Sequence, residues 1–290
     1  MDLESAPARV ERALTVNPVT AAVYRASWDV QNPNIRFVFL ATTGRSGSFF
    51  ICELLRDIPG IWADHEPDPI MHGDVMIARQ QGRVGPAARL YWRRKAINLR
   101  RASRGHSVYA ECNHMFVKTY WREALADFGS RLSVLHLRRA SHEVAASLLR
   151  LGVVPGTPIG NRWTLDWRAP ANVLRMEDLL EEGGQFDAEF FRCLWYWHEV
   201  EARIASRLVP ALDGDRLVLL DWTTRFDPLE VEVSLAKLGI RGDSQDVAAR
   251  CTRKVNARIG VSQSAGTAQP SHVSMSVDFA AAVAERSVGL

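Results

Sequence analysis

The run Thr43-Gly44-Arg45-Ser46-Gly47-Ser48-Phe49 concentrates residue types that hold anions. Gly44 and Gly47 let backbone N–H groups approach an oxyanion closely. Arg45 adds charge on a forked donor. The run follows Arg36-Phe37-Val38-Phe39-Leu40-Ala41, a short apolar stretch that reads as a strand buried on both faces. It leads into Phe49 to Arg56, which reads as a helix that Ser46 or Ser48 can cap. Strand, glycine loop and helix N-terminus then aim free N–H groups and the positive end of the helix dipole at one spot. The nucleoside triphosphatase form of such a loop is G-x-x-x-x-G-K-[ST], with its hydroxyl on magnesium. Here Ser48 and Phe49 follow Gly47, so that lysine and hydroxyl are missing. This argues against ATP or GTP hydrolysis.

A second group of reactive side chains lies at Asp64-His65-Glu66-Pro67-Asp68-Pro69, after the short strand Ile61-Trp62-Ala63. Pro67 and Pro69 prevent helix and place these side chains on a rigid loop. Sites in open α/β sheets lie outside the carboxyl ends of the strands, which puts His65 and Glu66 near the anion loop. Either can take a proton from a hydroxyl. Neighbours on an extended segment point to opposite sides, so one of the two faces the reacting atoms. A surface acidic turn is the alternative. His114, after the strand Ser107 to Cys112, reads as a satisfied polar residue.

The loop resembles the first signature of the sulfotransferases that use 3′-phosphoadenosine 5′-phosphosulfate (PAPS), T-x-[RK]-S-G-[ST]-x-[FL]. Thr43 to Phe50 fits it closely. Their second signature, a strand and then R-D-P-x-x-x-x-x-S, resembles Leu132 to Leu137 followed by Arg138-Arg139-Ala140-Ser141 and the helix reaching Ser147. The arginine aligned on Ser147 is Arg139, about ninety residues after the first motif. Asp and Pro are replaced by Ala140 and Ser141, with Ser141 left to cap the helix and Arg138 competing for the arginine role. The resemblance implies that Thr43, Gly44, Arg45, Ser46, Gly47, Ser48 and Phe49 hold the 5′-phosphosulfate. Arg139 and Ser147 then hold the 3′-phosphate. Arg45 offsets charge growing on the bridging oxygen. Glu66, just before Pro67, matches a glutamate that carbohydrate and peptide sulfotransferases use as base, with His65 orienting the loop or replacing it. Asp221-Trp222 falls at the family's late acidic position. The basic run around Arg253 and Lys254 matches a C-terminal segment that closes over the 3′-phosphate. The reaction implied is sulfuryl transfer from PAPS, without metal, to a hydroxyl on a small molecule or glycan. A small-molecule kinase with an atypical loop and an inactive nucleotide-binding protein remain as alternatives.

The remaining chain must position these groups. Its 290 residues, 47% hydrophobic, supply an ample core, and a net charge of +3 does not call for nucleic acid. No run approaches the ~18 apolar residues of a membrane span. The opening Met1-Asp2-Leu3-Glu4 is acidic, unlike a signal peptide. Cys52, Cys112, Cys193 and Cys251 are widely spaced and read as reduced core thiols of a cytoplasmic protein. Strands alternate with helices, which predicts an α/β fold with a central parallel sheet flanked by helices. Residues 1–34 read as a leader, 35–259 as the catalytic domain and 260–290 as a tail. Residues 79–104 hold eight arginines, Lys95 and no acid. They predict a helix from Ala87 to Ser103 with Arg89, Arg93, Arg100 and Arg104 on one face and Trp92, Ala96 and Leu99 on another. That basic face is either solvated or a flank that draws in anions. Lys118 to Phe128 reads as a helix. Residues 152–172 read as an irregular insertion whose Trp163 and Trp167 either pack it down or line an acceptor pocket. Phe186 to Val209 reads as one long helix with Trp197 in the core and Trp195 partly exposed. The strand Arg216 to Trp222, a helix from Pro228 to Leu238 and a short helix from Val277 to Glu285 follow.

Overall fold

In the computed structural model, residues 16–222, 226–242, 244–251 and 269–287 are described. Five strands form one parallel sheet: β1 (Arg36–Ala41), β2 (Ile61–His65), β3 (Val108–Cys112), β4 (Leu132–Arg139) and β5 (Leu217–Trp222), in the order β2-β3-β1-β4-β5. The chain winds outward from β1 on one side, returns, and builds the other side. The order therefore reverses beside β1, where the carboxyl ends of parallel strands leave a crevice.

Period-two alternation sorts the side chains of β1 onto two cores. Phe37, Phe39 and Ala41 face one, Val38 and Leu40 the other. The second core is closed by α2 (Ser48–Arg56) and α9 (Pro228–Lys237). The first is larger. It takes α1 (Pro18–Gln31), α4 (Pro86–Ala102), α5 (Trp121–Phe128), α6 (Ser141–Arg150), α8 (Glu189–Arg203) and α11 (Pro270–Ser287). Phe37 stacks on Phe128 at 3.9 Å and Phe39 on Phe116 at 4.9 Å. Truncating such a ring to alanine costs about 3–5 kcal/mol. The α/β fold with a parallel sheet between helices is as the sequence predicts. Three short helices complete it: α3 (Asp74–Gln80), α7 (Glu177–Leu180) and α10 (Ser244–Cys251).

Several elements depart from expectation. The segment expected as a helix from Lys118 opens as a π-helical turn, Phe116–Tyr120, before α5. The long helix splits at Arg203 into α8 and a π turn, Ile204–Leu208. Within α8 the two tryptophans exchange roles: Trp195 is fully buried, and Trp197 is only half-buried. Residues 173–174 lie over the Trp195 side, with Trp195 Nε1 donating to Leu174 O and Glu199 accepting from the N–H groups of Val173 and Leu174. The last helix is eighteen residues long rather than nine. The basic run does not form one solvated face. Arg100 is buried and pairs with Asp29 of α1 at 2.8 Å, Lys95 is fully buried, and Arg79 pairs with Glu123. Cys52, Cys112 and Cys193 are buried free thiols.

Candidate functional site

The loop from Thr43 to Gly47 leaves β1 and enters α2. Neither serine caps the helix: the N-cap is Gly47, left-handed at φ 89°, with no side-chain cap bond. Ser46 Oγ instead has its one proton within reach of Thr43 Oγ1 at 2.9 Å and Gly44 O at 3.2 Å. Every carbonyl of the loop accepts from the protein. Tyr196 OH donates to Thr43 O, Thr43 Oγ1 to Gly44 O at 2.9 Å, and Arg139 Nη1 to Arg45 O at 3.2 Å. Trp222 Nε1 donates to Ser46 O at 2.8 Å, and the Ile51 N–H to Gly47 O at 3.2 Å. In a trans peptide the next N–H points opposite to the carbonyl. The N–H groups from Gly44 to Ser48 therefore face away from these donors. Those of Gly47, Ser48, Phe49 and Phe50 precede the first helical bond and have no partner within the helix. This is the construction of an anion cradle at a helix N-terminus. A methyl group on Gly44 would stand 2.9 Å from His114 Nδ1, and one on Gly47 2.9 Å from Phe226, so both glycines permit close packing as well as their positive φ.

Arg45 itself is left-handed, φ 60°, and exposed, and its Nε donates to Ser147 Oγ at 3.1 Å. The two motifs thus meet in space. Strand alternation sends the adjacent arginines to different partners. Arg138 pairs with Asp221 across β4 and β5 at 2.5 Å, whereas Arg139 faces the loop. Arg139 lies over Trp222 at 4.8 Å, pairs with Glu143 at 3.0 Å, and receives Trp197 Nε1 on its carbonyl. Its Nε is buried with no hydrogen-bond partner among the described residues. Ser141 does not cap α6: the N-cap is Ala140, and Ser141 Oγ meets Ser276 Oγ of α11 at 2.9 Å.

Facing the loop are the ends of β2 and β3. His65 is the last residue of β2, and its Nε2 lies 3.2 Å from Ser48 Oγ. Glu66 leaves the extended conformation for φ 50°, so the opposite-sides argument from strand geometry does not hold at this bond. The pair reaches two different partners. Glu66 Oε1 lies 3.4 Å from His114 Nε2, and Lys118 Nζ shares a 2.7 Å hydrogen bond with His114 Nδ1. Lys118 also donates to Trp163 O at 2.7 Å and Tyr196 OH at 2.9 Å. Burial pushes its amine well below the usual lysine range, Glu66 pulls it up, and Arg203 pushes it down. Burial, then the charges of Lys118, His65 and Arg45, hold His114 well below its ordinary value. Both shifts favour the uncharged forms of two groups packed against each other. One connected path thus runs from Glu66 through His114, Lys118 and Tyr196 to the carbonyl of Thr43. Sequence reasoning set His114 aside and did not single out Lys118 or Tyr196.

The insertion contributes one aromatic face. Trp163 is half-buried and stacks on His72 at 4.3 Å, while Trp167 is fully buried and packs the core. Arg253 and Lys254 lie outside the described residues. No cluster of His, Cys, Asp or Glu among the described residues could hold a metal, and no described helix is long and apolar enough to cross a membrane.

The fold and loop together define an α/β protein with a glycine loop at the carboxyl end of its central strand. No protein-family model and no curated protein matches the chain. Among solved structures it is similar to the sulfotransferase domain from the Synechococcus PCC 7002 olefin synthase, with a TM-score of 0.43 and 14% identity over 86% of this chain and 95% of that one. So loose a likeness decides nothing about chemistry, which rests on the residues of the site.

Proposed function

We propose that this chain is a PAPS-dependent sulfotransferase acting on an acceptor hydroxyl. The observation that carries the reading is the loop from Thr43 to Gly47. All five of its carbonyls are bonded to the protein. Its N–H groups face the other way, while Arg45 within the loop and Arg139, bonded to the Arg45 carbonyl, add positive charge. PAPS, when bound, supplies the sulfuryl group and a phosphate as its leaving group. The N–H groups of the loop and Arg45 hold the anionic end and offset charge that grows there. Arg139 and Ser147 hold the second phosphate. Glu66 takes the proton of the acceptor hydroxyl, and His114, locked by Lys118, keeps that carboxylate in place. As in phosphoryl transfer, the work is positioning and electrostatics. The residues beside Gly47 lack the lysine and hydroxyl of a magnesium-dependent loop, so the reading requires no metal.

Calorimetry with PAP (the desulfated donor), ATP and GTP tests the site, and transfer of labelled sulfate from PAPS tests the reaction. PAP should bind without magnesium, and turnover should persist in EDTA. Preference for a triphosphate with magnesium would replace this reading with a kinase. PAP binding with no transfer to any acceptor class would leave a nucleotide-binding protein.

A further inference from the structure

Lys95 was part of a basic run and Glu111 a residue inside a strand, yet both are completely buried and meet at 2.7 Å. Taking two charges out of water costs more than such a pair usually returns, and well-packed apolar residues often serve stability equally well. The partners of this pair all lead to one segment. Lys95 Nζ donates a second hydrogen bond, 3.1 Å long, to the carbonyl of Pro67, the residue after Glu66. Glu111 Oε1 accepts from Tyr120 OH at 2.6 Å and from Asn113 Nδ2 at 3.0 Å. Asn113 Nδ2 also reaches Ile70 O at 3.3 Å, and its Oδ1 accepts from the Met115 N–H at 2.9 Å. At the outer edge Asn98 Nδ2 donates to Asp68 O at 3.2 Å and Arg94 pairs with the Asp68 carboxylate at 3.0 Å. The carbonyls of Pro67, Asp68 and Ile70 are thus tied down by side chains of α4 and by the residue that follows β3.

We propose that the buried Lys95–Glu111 pair is a positioning device for Glu66. It rests on the sulfotransferase reading above and deepens it. Glu66 is one of three non-glycine residues with positive φ in the described chain. A conformation of that kind persists only where its surroundings over-determine it. Before Glu66 stand the last residue of β2 and the Glu66 N–H bond to Cys112 O at 3.3 Å. After it stands the Pro67 carbonyl held by Lys95. The ammonium supplies a strong, charge-assisted donor to that carbonyl, and Glu111 is the buried counter-charge that keeps the ammonium in place. Neither residue touches the reacting atoms. Their effect passes through the backbone on either side of the base and through His114, three residues after Glu111.

The test uses the whole chain carrying Lys95→Met and Glu111→Gln together. This removes both buried charges, leaves no lone one, and keeps an amide oxygen for Tyr120 and Asn113. The expected result is a folded protein with near wild-type thermal stability and PAP affinity within about twofold. Its kcat should fall at least tenfold, with KM for the acceptor changed by less than about threefold. Hydrogen exchange at the Glu66 amide should quicken at least tenfold, while amides inside β1 and β4 keep wild-type protection. A double variant with wild-type kcat and wild-type exchange at Glu66 overturns the proposal and leaves the sulfotransferase reading standing. A kcat loss matched by equal losses in stability and PAP affinity also overturns it, since that marks general damage. If the wild-type chain transfers no sulfate, the functional reading fails by itself, and the exchange measurement still decides whether this pair holds the Glu66 segment.

Discussion

At the scale of single residues, the site divides into groups that were legible in the sequence and groups that were not. Thr43 to Phe49 was legible because a glycine loop between a strand and a helix is contiguous. Arg139 and Ser147 needed only one strand–helix unit. His114, Lys118 and Tyr196 were not, because they converge from the turn after β3, a π turn and α8, and no local spacing marks that meeting. Charge-assisted bonds from Arg45 and Arg139 are worth about 1.5–3 kcal/mol each. Arg45→Ala and Arg139→Ala should therefore each weaken PAP binding at least tenfold in calorimetry with the fold intact by circular dichroism. Wild-type affinity in both would remove the basis of the cradle. The base is a separate question. Loss of a general base costs about 10²–10⁴ in rate, so Glu66→Gln should bind PAP normally and turn over at least a hundredfold more slowly. His65 bonds Ser48 Oγ and is not the proposed base, so His65→Ala should retain more activity. An active Glu66 variant beside a dead His65 variant reverses the assignment.

At the scale of elements, the strands were legible because fully buried parallel strands are continuous apolar runs. Their ends were less so: β2 runs two residues further, to His65, and β4 two further, to Arg139. Polar residues at a strand's carboxyl end read as loop when nothing shows that a neighbour pairs with them. The face of α8 was misread for a different reason. Its periodicity marks one apolar stripe, but residues 173–174 cover a second side, which no pattern within the helix records. The start of α2 shows what replaces a serine cap. Gly47 takes φ 89° with the rings of Phe226 and Trp222 against its Cα, 2.9 and 3.2 Å from where a Cβ would sit. An alanine there meets both left-handed strain and the Phe226 ring, which a flexible side-chain tip could not relieve. Gly47→Ala should lose about 1–3 kcal/mol of stability in denaturant unfolding. It should also lose PAP affinity, since the cradle N–H groups are those of this turn. Unchanged PAP affinity in the variant would mean that the anion does not sit on this turn.

At the scale of the whole molecule, the strand order was not legible, because alternation of strands and helices fixes parallel pairing but not which strand lies beside which. The long C-terminal helix was legible only in part, and it bears on how the whole chain responds to pH. Phe279 of α11 packs against Phe186 at 5.1 Å and Phe191 at 5.8 Å, and its ring lies 5.8 Å from His198 of α8. His198 also meets Trp197 edge-on at 4.9 Å, and its Nε2 is buried without a partner among the described residues. Burial among these rings pushes its pKa down to about 4. In the unfolded chain it titrates near ~6.5. Between those two values the unfolded state binds a proton that the folded state does not, so stability rises with pH across this window. The stability is fully present above pH ~6.5, erodes as pH falls, and is lost below about 4, a change of up to ~3 kcal/mol from this ring alone. Other groups also contribute to acid unfolding, so the measurement must compare two proteins in which they are common. His198→Leu keeps the contact with Phe279 apolar and cannot take a proton. Denaturant unfolding of wild type and variant at pH 7.5, 6.0 and 4.5 should show the variant gaining on wild type as pH falls, by roughly 2–3 kcal/mol over the series. Parallel stability curves for the two proteins would mean that His198 is hydrated in the folded state and that the packing of α11 against α8 is looser than these ring contacts describe.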